Sequence, residues 1–282
     1  MAELGLLGGT GARTTAAGTF SNAGVAPGNY SLMASTARPG PARATGPSAP
    51  ALWASADVSV NGQDVPGIAL RLAPGMTVSG RVAFQGKTAP AEQARVSITL
   101  MSMQSGSSVF GSIALNLADP VFSVSGVAPG RYRFGATVGA WTLASATFNG
   151  RDVADMPFEV KPSEDISNVV VTFTDAPAEV TGLLTDAAGR PAPAFALMLF
   201  TTDRALWYPG SRRLSPPMGP ASDGRFTFKG LAPGEYYLAA VTDVSPAEAA
   251  DPAFLEQVAL SAIKVTVGPG EKRTQDLKIA GR

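Results

Sequence analysis

The side chains that most often carry chemistry are thin in this sequence. There is no histidine, so the commonest general base and the commonest transition-metal ligand are both missing. There is no cysteine, which excludes disulfides, thiolate nucleophiles and Cys-ligated zinc. The carboxylates Asp186, Asp203 and Asp223 could approach one another in the fold and bind calcium, which needs several oxygen ligands. Their spacing fits no known calcium loop, and "TDAAG" and "SDG" also read as turns in which Asp bonds its own backbone. The other chemical candidate is "DRALWYPGSRR", Asp203 to Arg213. There Trp207 and Tyr208 stand beside Arg204, Arg212 and Arg213. Aromatic and arginine side chains dominate binding hot spots, so these five form a candidate patch for a sugar or a protein. The alternative is that Trp207 packs on the fold while the arginines pair with acids. "GLLGGTGAR" is glycine-rich but lacks the lysine and the strand-to-helix context of a phosphate loop. The expectation is a protein without catalytic residues, cofactor or metal.

Composition narrows the partners. Formal net charge is zero and only 16% of residues are charged, which removes the driving force for nucleic-acid binding. Hydrophobic residues make up 45%, enough for packed cores. No run of 18 apolar residues is present, so no transmembrane helix is expected. "MAELGLLGG" lacks the basic start and long apolar core of a signal peptide.

What must position any site is a repeat. "GVAPGNY" (Gly24 to Tyr30) returns as "GVAPGRY" (Gly126 to Tyr132) and "GLAPGEY" (Gly230 to Tyr236). The copies stand 102 and 104 residues apart, and each follows a phenylalanine by four residues: Phe20, Phe122 and Phe226. "VSGRV" at Val78 and "VTGLL" at Val180 keep the 102-residue step. "NGQDV" at Asn61 and "NGRDV" at Asn149 keep a step of 88, as do Trp53 and Trp141, whose recurrence suggests packing. A period near 100 exceeds a solenoid unit and matches a β-sandwich domain.

Alternating apolar and polar residues predict strands throughout. "ARVSITLM", "VFSVSGV", "NVVVTFT", "RFTFKGL" and "YYLAAVT" are examples, separated by glycine- and proline-rich turns. In the repeated motif, Pro27, Pro129 and Pro233 are expected to preset a tight turn. Gly28, Gly130 and Gly234 would take positive φ, and Tyr30, Tyr132 and Tyr236 would open the next strand. Their hydroxyls would reach the rim or a backbone carbonyl. Residues 245–260 look helical, with Ser245 as N-cap, Pro246 next to it and Pro252 as an interruption. "SGSSVFGS" and "RPGPARATGPSAP" (Arg38 to Pro50) read as small-residue loops.

The stretch "DGRFTFKGLAPGEYYLAAV" (Asp223 to Val241), after "VTGLLTDAAGRPAPAF" (Val180 to Phe195), resembles the bacterial carboxypeptidase regulatory-like domain. That family groups with transthyretin-like and collagen-adhesin B-type modules. The resemblance is best in the third repeat, good in the second and partial in the first. It implies small prealbumin-like sandwiches, secreted or at the cell envelope, that serve as stalks, folding aids or adhesive modules. No peptidase domain accompanies them here. Collagen-adhesin modules often carry a Lys–Asn isopeptide with a nearby Glu. Lys87 and Glu92 stand near the start of the second repeat, but the third has no lysine near its first strand.

The resulting expectation is an all-β chain of three tandem Ig-like or prealbumin-like sandwiches at 1–76, 77–176 and 177–282. The first would lack its N-terminal strand or strands, because only 23 residues precede Gly24. Either the chain is a piece of a longer array, or a neighbour's strand completes repeat 1, which would allow self-association into a filament. The function expected is structural and extracellular or envelope-bound, with a carbohydrate-binding or adhesive module as the alternative.

Overall fold

Alternating inward and outward side chains build nearly every element of the computed structural model. It describes residues 3–6, 12–36, 52–91, 94–103, 108–114, 118–245 and 247–279. Glu92, Pro246 and the loop 38–50 lie outside the described residues, as do residues 104–107 of "SGSSVFGS" and residues 7–11 of "GLLGGTGAR". The chain is all-β apart from short helical turns. It forms two compact units, Met1–Phe84 with Ala89–Thr172, and Gln85–Thr88 with Phe173–Arg282.

The first unit begins with one antiparallel sheet from repeat 1. Its strands are β1 (Glu3–Leu6), β2 (Ala12–Arg13), β3 (Gly28–Ser35), β4 (Leu52–Val60) and β5 (Ala73–Pro74), in the order β2-β1-β3-β4-β5. The same unit continues with β6 (Met76–Gln85), β7 (Arg95–Ser102), β8 (Ser108–Ala114), β9 (Val121–Val127), β10 (Gly130–Thr137), β11 (Thr142–Phe148), β12 (Arg151–Asp152), β13 (Phe158–Val160) and β14 (Ile166–Thr174). These make two sheets, β13-β10-β7-β8 and β12-β11-β14-β6-β9. Phe122 of one sheet meets Phe134 of the other at 5.9 Å, inside a core that includes the fully buried Val78, Ile98 and Val171. Aromatic pairs prefer such tilted contacts.

The second unit holds β15 (Ala178–Thr185), β16 (Ala196–Thr201), β17 (Arg225–Leu231), β18 (Gly234–Val241), β19 (Ile263–Val267), β20 (Lys272–Thr274) and β21 (Leu277–Lys278). One sheet is β17-β15-β20 with β21 also on β15, and the other is β16-β18-β19. Val180, Leu184, Leu199, Phe226, Tyr236 and Leu238 share the core between them. A second apolar cluster covers the outer face of the β16-β18-β19 sheet. There helix α1 (Pro252–Ala259) lays Leu255 and Val258 against Met198, Phe200 and Trp207. Pro252 opens this helix rather than interrupting it. It sits at the first helical position, where its missing N–H costs nothing, and Asp251 caps it by accepting from Ala253 N at 2.8 Å. Ser245 and Glu248 bond each other reciprocally ahead of the preceding 3-10 turn, whose N-cap is Ala247 rather than Ser245.

Candidate functional site

The repeated motif does one job three times, and it fixes register. Tyr30, Tyr132 and Tyr236 each donate a hydroxyl to the alanine carbonyl four residues back, at 2.7, 3.0 and 2.6 Å. Each motif strand then pairs identically with a later strand: Gly28 opposite Val60, Gly130 opposite Val160, Gly234 opposite Val267. Burial pushes the Tyr132 phenol up to about 12.

The first glycine of the motif takes positive φ in all three copies: Gly24, Gly126 and Gly230 have φ of 74°, 79° and 72°. The glycine after proline does so in two, Gly130 at 151° and Gly234 at 155°, whereas Gly28 does not. At Gly126 and Gly230 the reason is a β-bulge. Ser125 and Gly126 together face Thr77, because Val124 pairs Val78 and Val127 pairs Met76. Lys229 and Gly230 face Glu179 in the same way. A bulge of this kind needs a residue at positive φ, which glycine supplies without strain.

Beyond the bulge, the motif phenylalanine faces a glycine. Gly80 pairs with Phe122 and Gly182 pairs with Phe226. Neither glycine is free to change. A Cβ on Gly80 would stand 1.9 Å from the Val169 carbonyl oxygen, and one on Gly182 would stand 2.0 Å from that of Gln275. Each first strand, β6 or β15, is thus wedged between the motif strand and the closing segment of its repeat.

Repeat 1 has the flanks of this slot and no described strand inside it. Residues 19–25, at the position of β9, are not in a strand. Residues 65–72, which precede β6 as β14 precedes β15, pair with no described strand. Between these flanks lies an open groove of about 720 Å³. Its walls include Thr15, Phe20, Ala34, Ile68, Leu70 and Leu72. Ala34 lines it, and Leu32 and Ala34 are buried beneath Phe20, Val58, Ile68 and Leu70. Val65 and Leu72 remain 40% and 39% exposed. No charged side chain lines the groove among the described residues. Sequence reasoning placed a deficit here but did not name the walls. The alternation of Ile68, Leu70 and Leu72 in "GIALRLAP" is the signal that would have found them.

The pairing also separates two copies that match in sequence. Trp53 and Trp141 share an offset, yet β11 crosses to the opposite sheet of repeat 2, whereas β4 stays beside β3. The end of β4 occupies the place of β13. Trp53 donates its indole N–H to Pro74 O at 3.2 Å, while Trp141 meets Phe84 edge-on at 5.0 Å.

The five residues of the candidate patch do not share one exposed face. Trp207 is buried at 5% exposure, donates to Thr201 O at 2.7 Å and packs on Phe200 at 5.7 Å. Tyr208 is half-buried. Arg204 is exposed, pairs with Glu256 at 2.7 Å and lies 5.7 Å over the Trp207 ring. Arg212 is half-buried, and Arg213 donates to Pro233 O at 2.6 Å and to the Tyr236 hydroxyl at 3.3 Å. The three aspartates each serve a separate turn. Asp186 accepts from Ala188 and Arg190, Asp203 from Ala205, and Asp223 from Arg225. No cluster of three potential metal ligands exists among the described residues. Lys87 is exposed, and its backbone N–H donates to Asp175. The Thr88 hydroxyl and then the Thr88 and Lys87 amides hold the Asp175 carboxyl below the usual carboxylate range.

No protein-family model matches the chain. No curated protein matches it either. Solved structures do. The Bacillus anthracis TIE protein aligns over 98% of this chain at 14% identity with a TM-score of 0.26, and this chain spans 46% of that protein. The minor pilin of Streptococcus agalactiae aligns over 74% of this chain and 97% of its own length, at 12% identity and a TM-score of 0.32. The shaft pilin SpaA of Lactobacillus rhamnosus GG aligns over 74% and 98%, at 10% identity and 0.27. Likenesses at this level carry no argument about function, and the all-β assignment rests on the strands themselves.

Proposed function

We propose that this chain is a non-enzymatic structural or assembly subunit of the bacterial envelope or exterior, built from three sandwich repeats. Repeat 1 acts as an acceptor that a neighbouring polypeptide completes. The observation that carries this reading is the open slot in repeat 1, set against the filled slots of repeats 2 and 3. An apolar groove flanked by backbone with no ladder partner is the arrangement that strand addition satisfies.

Location is tested without reference to the groove. The chain has no cysteine, so one introduced at an exposed position such as Leu260→Cys is a unique label. On intact cells expressing the full chain, a membrane-impermeant maleimide should modify it. Labelling only after lysis would remove the envelope reading.

A further inference from the structure

The chemistry of the missing occupant can be read from the two slots that are filled. In repeat 2 the occupant is β6, with Met76, Val78 and Val82 buried and Gly80 opposite Phe122. In repeat 3 it is β15, with Ala178, Val180 and Leu184 buried and Gly182 opposite Phe226. Both read apolar-x-Val-x-Gly-x-apolar, where every second side chain enters the core. Both run antiparallel to the motif strand, and β15 runs parallel to β20 and β21 on its other side. In both, the glycine is required by a carbonyl oxygen at about 2 Å from its would-be Cβ.

Repeat 1 presents the same fixed points. Phe20 stands at the position of Phe122 and Phe226. Tyr30 makes the same bond and Gly28 keeps the same register. The sheet of β1 to β5 supplies one face, where Ala34 lines the groove and Leu32 is buried. The uncharged groove requires uncharged side chains on the entering face.

We infer that the groove between residues 14–20 and 65–72 is a docking site for an extended strand donated by a separate polypeptide. That strand has the pattern apolar-x-Val-x-Gly-x-apolar and sets its glycine opposite Phe20. It runs antiparallel to residues 19–25 and parallel to residues 65–72. Glycine is the selective element, because in both filled slots a carbonyl of the closing segment leaves no room for a Cβ. The inference rests on the acceptor reading of repeat 1 and adds the identity and register of what is accepted.

The test uses the full chain and a synthetic peptide with the β6 sequence, MTVSGRVAFQ, carrying a fluorophore. Anisotropy should show saturable binding. A peptide with valine in place of its glycine should bind about tenfold more weakly or not at all, since the added side chain meets a carbonyl in the packed slot. Hydrogen exchange should show new protection at residues 14–25 and 65–72. The Val65→Arg chain, altered at a groove residue that is 40% exposed and outside the Leu32 and Ala34 cluster, should lose binding while β3 and β4 keep their exchange protection. Absence of saturable binding, equal binding of the valine peptide, or protection confined to repeat 2 would each overturn the inference. So would concentration-dependent self-association that Val65→Arg abolishes, since the occupant would then be a second copy. None of these outcomes bears on maleimide labelling of intact cells, so the envelope reading stands or falls separately.

Discussion

Tyr132 shows how one side chain can be both a fastener and a liability. Its hydroxyl holds the motif turn by donating to Ala128 O, and burial pushes its pKa from the ordinary value near 10 up to about 12. The folded state therefore holds that proton more tightly than the unfolded chain does. Its contribution to stability is complete below pH 10 and declines as pH rises towards 12. Urea midpoints measured from pH 9 to 12 should fall more steeply for the native chain than for Tyr132→Phe. At neutral pH the phenylalanine variant should lose about 1 kcal/mol for the missing hydrogen bond. Parallel curves would show that the phenol does not control the alkaline limb. At this scale the sequence was partly legible. Three tyrosines following A-P-G-x pointed to their own fastening, because the bond spans only four residues. Trp207 was harder to place. Neighbouring arginines give it the look of a binding surface, and only the covering helix, which comes some 50 residues later, shows that it is core.

Among the elements, the bulge in β9 deserves a direct perturbation. Gly126 at φ 79° lets two residues face one, which turns β9 into the motif and delivers Tyr132 to its place. Gly126→Ala should destabilise the first unit by about 1–2 kcal/mol, the cost of a left-handed conformation for a residue with a Cβ. Gly139→Ala, at φ 48° with open space around it, is the control for strain without a bulge. If both variants cost the same, the bulge contributes nothing beyond backbone strain, and calorimetry of the two decides it. Strands such as β9 and β17 were readable to the residue from alternation and flanking turns. The positive φ expected after proline is present at Gly130 and Gly234; the bulge at Gly126 and Gly230 was not foreseen, because it depends on pairing with a strand some 50 residues earlier. Likewise, the 88-residue offset of Trp53 and Trp141 was visible, but which sheet each following strand joins is decided by long-range pairing that no local pattern encodes.

For the whole molecule, period and composition carried most of the fold class. Copies of one phenylalanine-to-tyrosine motif about 100 residues apart indicated repeated β units, and alternation filled them with strands. The candidate site was legible only in fragments: Phe20 repeats Phe122 and Phe226, and the Ile68, Leu70 and Leu72 alternation marks one wall. Its walls became definable once the pairings of Gly80 and Gly182 showed what normally stands there.

The parallel alignment in repeat 3 bears on mechanical load. β15 enters the repeat, and β20 and β21 leave it, side by side and pointing the same way, from Glu179 beside Lys272 to Thr185 beside Lys278. A tensile force drawn through the start of β15 and the end of β21 slides these strands along each other. Their hydrogen bonds are then strained together rather than opened one at a time from an end. Repeat 3 should resist stretching as a shear clamp. In single-molecule pulling, Gly182→Val, which pries β15 from the Gln275 carbonyl, should lower its rupture force more than Leu255→Ala on the outer helix, although both lose stability. Equal losses would mean that the clamp lies elsewhere. On the proposed reading of a structural subunit, resistance along this line matters more than equilibrium stability.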